Sequence, residues 1–268
     1  MPDFIVLSAD EIERLSNQDK IQYYGQLKEY YISLPFDVEK MQRQEKRYVR
    51  TINTFSSLVN ALCRPTVINK ELIPDGNGFI FVANHLGSFD QFPIIAGAIG
   101  NRPLHSMMKN TLFTAKELFR GYLFDFLGAA VPVDVSTPEG RARAQDTMIQ
   151  LILHGSNVMY FPEGTRGTLK KYHDIPLPLE FKKGAVVNAI ITGATIIPIS
   201  INNDYRLFRK NHIVVRVNEP LTVNPADNVE NIVDELRNRI IKGIKQNQED
   251  GFTIKRKNTK NKWIYYKI

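Results

Sequence analysis

The chain alternates short, nearly charge-free apolar runs with longer stretches of helical periodicity, and no other feature limits its fold so tightly. Gly78-Phe79-Ile80-Phe81-Val82-Ala83 has no polar face, as required of a strand covered on both sides. Val158-Met159-Tyr160-Phe161 reads the same way, and residues 196–201 and 213–217 give two more strands. Ala129-Ala130-Val131-Pro132-Val133 is a further strand, whose proline lacks an amide donor and so belongs at a sheet edge or a break. Helices are expected over 90–98 and 137–154, the second opened by Pro138 and Glu139 in its first turn. Strands alternating with helices predict an α/β fold, a sheet with helices on its faces.

Residues 1–64 differ from this core. They are rich in charge, and their strongest element runs over 36–62. Val38, Met41, Tyr48, Ile52, Phe55, Val59 and Leu62 recur there at helical spacing, with Lys40, Arg43, Lys46, Arg47 and Arg50 between them. Such a stripe fits a bilayer interface and a protein core equally well. The tyrosine-rich stretch 21–34 is expected to form the other arm of a helical hairpin. The α/β domain then spans 65–250, closed by a helix over 227–246. Residues 251–268 form a tail in which Lys255, Arg256, Lys257, Lys260 and Lys262 accompany Trp263, Tyr265 and Tyr266. That mixture suits a membrane–water boundary or a solvated tail, and no recognised motif supports nucleic acid as a partner.

The formal charge of +7, from 35 Lys plus Arg against 28 Asp plus Glu, favours anionic partners. The start, Met1-Pro2-Asp3-Phe4-Ile5, has no basic patch followed by an apolar run. The longest uncharged stretch, 184–203, is interrupted by Asn188, Thr192, Thr195, Pro198, Ser200 and Asn202, and reads as a buried helix followed by a buried strand. These features predict a cytoplasmic protein whose contact with the inner face of the cell membrane is peripheral. A single cysteine, Cys63, precludes an internal disulfide.

In α/β sheets, ligands gather beyond the carboxyl ends of the strands, and two unusual segments fall there. In Asn84-His85-Leu86-Gly87-Ser88-Phe89-Asp90, a turn after the strand can bring the Asp90 carboxylate to one imidazole nitrogen of His85. The other nitrogen is then free to take a proton. The same residues also suit a hydrogen-bonded turn with an aspartate N-cap. In Phe161-Pro162-Glu163-Gly164-Thr165-Arg166-Gly167, Arg166 offers a planar fork for phosphate oxygens. Glu163 can accept from a substrate hydroxyl or pair with Arg166 to stabilise the loop.

Together the two segments resemble the glycerophospholipid acyltransferase family. The family is marked by a histidine and an aspartate with four residues between them, as His85 and Asp90 have, and by a block that Phe161-Pro162-Glu163-Gly164-Thr165-Arg166 matches in full. Its hydrophobic block with a central proline is similar to Ile196-Ile197-Pro198-Ile199, and Lys182-Lys183-Gly184-Ala185 fits the usual lead-in. A departure occurs in the second block: Gly128-Ala129-Ala130-Val131-Pro132-Val133-Asp134 is followed by Val135, where the family has an arginine that helps bind the acceptor's phosphate. Lys109, Arg141 and Arg143 are candidates for the missing charge.

The resemblance implies a mixed sheet flanked by helices and a membrane-associated enzyme. It implies that His85, held by Asp90, deprotonates a hydroxyl of lysophosphatidic acid, of glycerol-3-phosphate or of another lysophospholipid. That oxygen attacks an acyl-CoA or acyl-carrier-protein thioester, a co-substrate rather than a cofactor. Glu163, Gly164, Thr165, Arg166 and Lys109 are the implied acceptor-binding residues. Two rival classes remain open in the sequence: a metal-dependent hydrolase using His85, for which the other four histidines offer no ligand spacing, and a non-catalytic lipid-binding protein.

Overall fold

The computed structural model describes residues 4–63, 65–86, 90, 94–113, 130–165, 177–204, 212–252, 254–257 and 263–266. Helices α1 (Ala9–Glu13), α2 (Asn17–Ser33) and α3 (Val38–Cys63) come first, followed by strands β1 (Thr66–Ile68), β2 (Ile80–Ala83), β3 (Leu104–Lys109) and β4 (Ala130–Val133). Then come α4 (Pro138–Leu153), β5 (Asn157–Tyr160), α5 (Gly184–Thr192), β6 (Ile196–Asp204), β7 (His212–Val217) and α6 (Val229–Glu249). A two-stranded antiparallel pair, β8 (Ile254–Lys257) and β9 (Trp263–Tyr266), lies in the tail. Helix starts follow their side-chain caps: Thr137 accepts from Gly140 N ahead of α4, and Asn228 from Asn231 N ahead of α6.

The seven-stranded sheet has the order β1-β7-β6-β2-β5-β3-β4. Strands β6, β2, β5, β3 and β4 are mutually parallel, while β7 runs antiparallel to β6 and carries β1 in parallel beside it. The sheet is thus mixed, and β4, the strand with Pro132, lies at its edge as the missing amide donor demands. Alternation along the strands divides the interior into two layers. Ile80, Val82, Val158, Tyr160 and Ile196 pack against α2, α4, α5 and α6. Phe81, Ala83, Met159, Ile197, Ile199 and Ile201 face the other way, onto Tyr48 and Ile52 of α3 and onto Ile94, Ala98 and Ile99. Each fully buried aliphatic side chain contributes about 1.5–3 kcal/mol, so both apolar faces hold the sheet between its helices.

Several expectations change. Of the helix expected over 90–98, residues 94–98 belong to a π-helical turn, Ile94–Ile99, and residues 91–93 lie outside the described residues. Strands β1 and β3, and the strand pair β8–β9 in the tail, add to the elements that the pattern predicts. The hairpin of N-terminal helices opens out: α2 lies against α4 and α5, whereas α3 reaches the opposite layer. Met41, Tyr48 and Ile52 of the amphipathic stripe are buried in the two cores, so this part of the stripe faces protein. The side chains of Phe55, Val59, Leu62 and Cys63 lie outside the described residues. Glu45 of α3 accepts from Ser156 Oγ at 2.5 Å and lies 3.4 Å from His105 Nε2, tying the helix to the amino-terminal ends of β3 and β5. Burial pushes the Glu45 carboxyl up, but the hydrogen bonds from His105 and Ser156 outweigh it and hold the group below its ordinary value. Among the described residues, no helix is long and apolar enough to cross a membrane.

The contact of α6 with the sheet is polar at its centre. Ser200 Oγ donates to Ile240 O at 2.7 Å, Asn218 Nδ2 donates to Ser200 Oγ at 2.9 Å, and Asn247 Nδ2 reaches Asn202 Oδ1 at 3.0 Å. Gly243 allows this close approach, because a Cβ there would sit 2.2 Å from Asn218 Oδ1 and 2.4 Å from Ser200 Oγ. Both neighbours are short and buried, so neither can swing away. Gly243→Ala is expected to destabilise the protein by about 1–3 kcal/mol, the usual cost of overpacking. A lowered urea midpoint would show it, whereas an unchanged midpoint would mean that α6 moves outward freely.

Candidate active site

Strands β2 and β5 are neighbours in parallel register, Ile80 opposite Val158 and Val82 opposite Tyr160. Their carboxyl ends therefore release the segments after Ala83 and Tyr160 side by side. Asn84 fixes the first of these. Its amide is buried and pairs with both backbone groups of Ile201 on β6, donating to the carbonyl at 3.0 Å and accepting from the N–H at 2.8 Å. The residue that follows is consequently held at the sheet edge.

That residue is His85. Its Nδ1 lies 3.0 Å from Asp90 Oδ2, and the same oxygen accepts the backbone N–H of Leu86 at 2.5 Å. A carboxylate oxygen already receiving an amide proton acts as an acceptor, so Nδ1 carries the hydrogen and Nε2 keeps a lone pair. The Asp90 side chain is only 1% exposed and that of His85 19% exposed: the anchored end is sealed and the ring reaches outward. Phe161 stacks on the imidazole with centroids 4.3 Å apart and planes inclined by 26°. The ring is therefore fixed by a hydrogen bond at one edge and by an aromatic face. Gly87, Ser88 and Phe89 lie outside the described residues.

The second segment is locked to the first through Glu163. Its Oε1 accepts the backbone N–H of His85 at 2.7 Å and its Oε2 the N–H of Leu179 at 3.0 Å. The residue is buried, and each of its oxygens accepts a backbone N–H. Leu179 is in turn braced from α6, where Arg237 donates from Nε to Leu179 O at 3.0 Å and from Nη2 to Pro178 O at 2.7 Å. Gly164 closes the turn, its N–H donating to Phe161 O at 3.0 Å with φ +64°, a left-handed conformation that favours glycine. Thr165 is half-buried beside it, and Arg166 lies outside the described residues.

Lys109 ends β3, the strand on the other side of β5, and is exposed at the same edge of the sheet. Near β4, Asp134 accepts from Ser136, and Arg141 donates from Nη1 to Val135 O at 2.6 Å. The structure thus brings His85, Asp90 and Glu163 into contact and places Lys109 and Gly164 along the same edge. Phe161, Asn84 and Arg237 were missed as supporting residues. The stacking aromatic could have been noticed from its place directly after a strand, but the other two act through backbone groups far away in sequence. Of the other histidines, His105 belongs to the opposite end of the sheet, and His154 Nδ1 lies 2.8 Å from Gln150 O.

A family model described as Acyltransferase matches residues 64–202, which include every described site residue above except Arg237. A 1-acyl-sn-glycerol-3-phosphate acyltransferase of Borreliella burgdorferi is 25% identical over 190 residues, covering 66% of this chain and 70% of that protein. The chloroplastic 1-acyl-sn-glycerol-3-phosphate acyltransferase BAT2 of Brassica napus is also 25% identical, over 62% of this chain but only 46% of its own length. In fold the chain is similar to the crystal structure of the 1-acyl-sn-glycerophosphate acyltransferase PlsC of Thermotoga maritima, with a TM-score of 0.57 and 23% identity over 85% of this chain and 90% of that one.

Proposed function

The chain belongs to the acyltransferase family, and from that premise we propose that it transfers a fatty acyl group from a thioester to the free hydroxyl of a lysophospholipid. Lysophosphatidic acid is the proposed acceptor and phosphatidic acid the product, in line with the names of the two relatives. The observation that carries the reading is the His85–Asp90 pair, 3.0 Å apart with Nε2 pointing away from the carboxylate. A base alone, without an enzyme nucleophile, suits transfer to a hydroxyl that the substrate itself brings.

In the proposed step, His85 Nε2 takes the proton of the acceptor hydroxyl as its oxygen bonds to the thioester carbon. Asp90 stabilises the resulting imidazolium through Nδ1–H. The tetrahedral intermediate collapses with cleavage of the C–S bond, and the imidazolium returns the proton to the departing thiolate. Glu163 is a positioning group here: it holds His85 by its backbone against the neighbouring loop, so that the base does not drift from the reacting oxygen. Arg166 and Lys109 are proposed to meet the acceptor's phosphate, and an acyl-CoA or acyl-carrier-protein thioester is the proposed donor. We assign the site to a peripheral position at the inner face of the membrane. The cations and aromatics of the tail support this, being suited to anionic headgroups.

Thiol release tests the reading directly. Purified protein is expected to liberate thiol from an acyl-CoA or an acyl-carrier-protein thioester only when lysophosphatidic acid is supplied in detergent micelles. Release that ignored the acceptor would point to thioester hydrolysis, and release with glycerol-3-phosphate alone would reassign the acceptor.

A further inference from the structure

We propose that Lys182 is a specificity-determining residue whose ammonium binds the phosphate of the acceptor, filling the place of the arginine absent after Asp134. The inference rests on the acyl-transfer reading above. It starts from the way residues 177–183 lie across the turn that holds Glu163. Leu179 N–H donates to Glu163 Oε2, and Lys182 N–H donates to Pro162 O at 3.0 Å. The backbone of Lys182 is thereby fixed beside the turn, and its side chain extends over Gly164. A Cβ built on Gly164 would lie 2.6 Å from Lys182 Nζ and 2.8 Å from Cε. The ammonium therefore rests on the bare α-carbon of the residue that follows Glu163.

The adjacent lysine goes elsewhere. Lys183 pairs with Glu230 of α6, which raises the pKa of its ammonium through that hydrogen bond. Among the described residues, no carboxylate pairs with Lys182, and its side chain is exposed. An exposed, uncompensated cation held beside the base-bearing loop is suited to a phosphate dianion, whose oxygens accept from its three donors. Val135 leaves this edge of the sheet without the arginine that the resemblance leads one to expect. Arg141 does not replace it in this arrangement, because its guanidinium closes its own turn on Val135 O. Lys182 sits on the turn itself, one residue from the carboxylate that grips His85.

Steady-state kinetics with lysophosphatidic acid and with the monoacylglycerol of the same chain, using wild type, Lys182→Gln, Lys182→Arg and Lys183→Gln, test the proposal. Lys182→Gln is expected to raise KM for lysophosphatidic acid by about tenfold, the order expected for one charge-assisted hydrogen bond. Its kcat and its KM for the donor should stay near wild type. Lys182→Arg should recover most of the loss, monoacylglycerol turnover should be indifferent to Lys182, and Lys183→Gln should behave as wild type. Unchanged KM in Lys182→Gln, or an equal rise for both acceptors, would overturn the assignment. A rise confined to acyl-CoA and absent with acyl carrier protein would also overturn it, by moving the cation to the donor's phosphates. Wild type that acylates neither acceptor would instead remove the acyl-transfer reading, an outcome distinguishable from an active enzyme that ignores Lys182.

Discussion

His85→Ala is expected to reduce acceptor-dependent thiol release by about 10²- to 10⁴-fold, the contribution of a well-placed general base. The size follows from how completely the structure commits this ring. Its Nδ1 is held by a buried carboxylate and its face by Phe161, and Nε2 is the nitrogen left for the acceptor's proton. Substitution removes the base without touching the Asn84 anchor or the sheet, so circular dichroism and the urea midpoint should change little. Asp90→Asn should act more gently on the ring and more severely on the loop. An amide can offer one acceptor oxygen, but the negative charge that stabilises the imidazolium is gone. Wild-type rates in His85→Ala would sink the base assignment, and a collapsed urea midpoint would turn the residue into a structural one.

Glu163→Ala should be the most damaging single change to stability at the site. It would orphan two backbone donors, His85 N–H and Leu179 N–H, in a place where Glu163 itself is only 8% exposed. An unsatisfied buried polar group costs about 1–3 kcal/mol, so the pair predicts a loss of about 2–6 kcal/mol. Activity should fall with it, because the loop carrying His85 loses its tie to the neighbouring loop. Glu163→Gln keeps one acceptor oxygen and should lose about half as much stability. Equal urea midpoints for Glu163→Ala and wild type would show that water replaces the carboxylate without cost, and that the residue matters only through its charge.

What was legible in the sequence was whatever depends on local pattern. The apolar runs marked β2, β5, β6 and β7, and the proline in β4 marked an edge, because strand burial and a missing donor leave their trace residue by residue. His85 and Asp90 were legible by spacing, and the turn between them was the one additional assumption. By contrast, β3 reads Leu-His-Ser-Met-Met-Lys, and its polar residues hide a strand whose His105 and Ser106 are buried by tertiary partners such as Glu45. The strand β1 is only three residues long, too short to show a period. The backbone partners of Glu163 were hidden for a similar reason: they are amides contributed by the chain 78 residues before it and 16 after it, and no local pattern announces them. The amphipathic stripe of α3 was ambiguous in principle, since apolar spacing does not tell protein from lipid.

The brace from Arg237 to Pro178 and Leu179 has a consequence for synthesis. His85 leaves the ribosome before the turn that holds Glu163, yet the segment that steadies Glu163 is itself gripped by α6, which follows both. A nascent chain that has not yet delivered α6 holds the base and its aspartate but lacks the clasp that aligns the two loops. Competence is thereby deferred until α6 has been made, and a chain terminated before α6 would carry the motif without the means to use it.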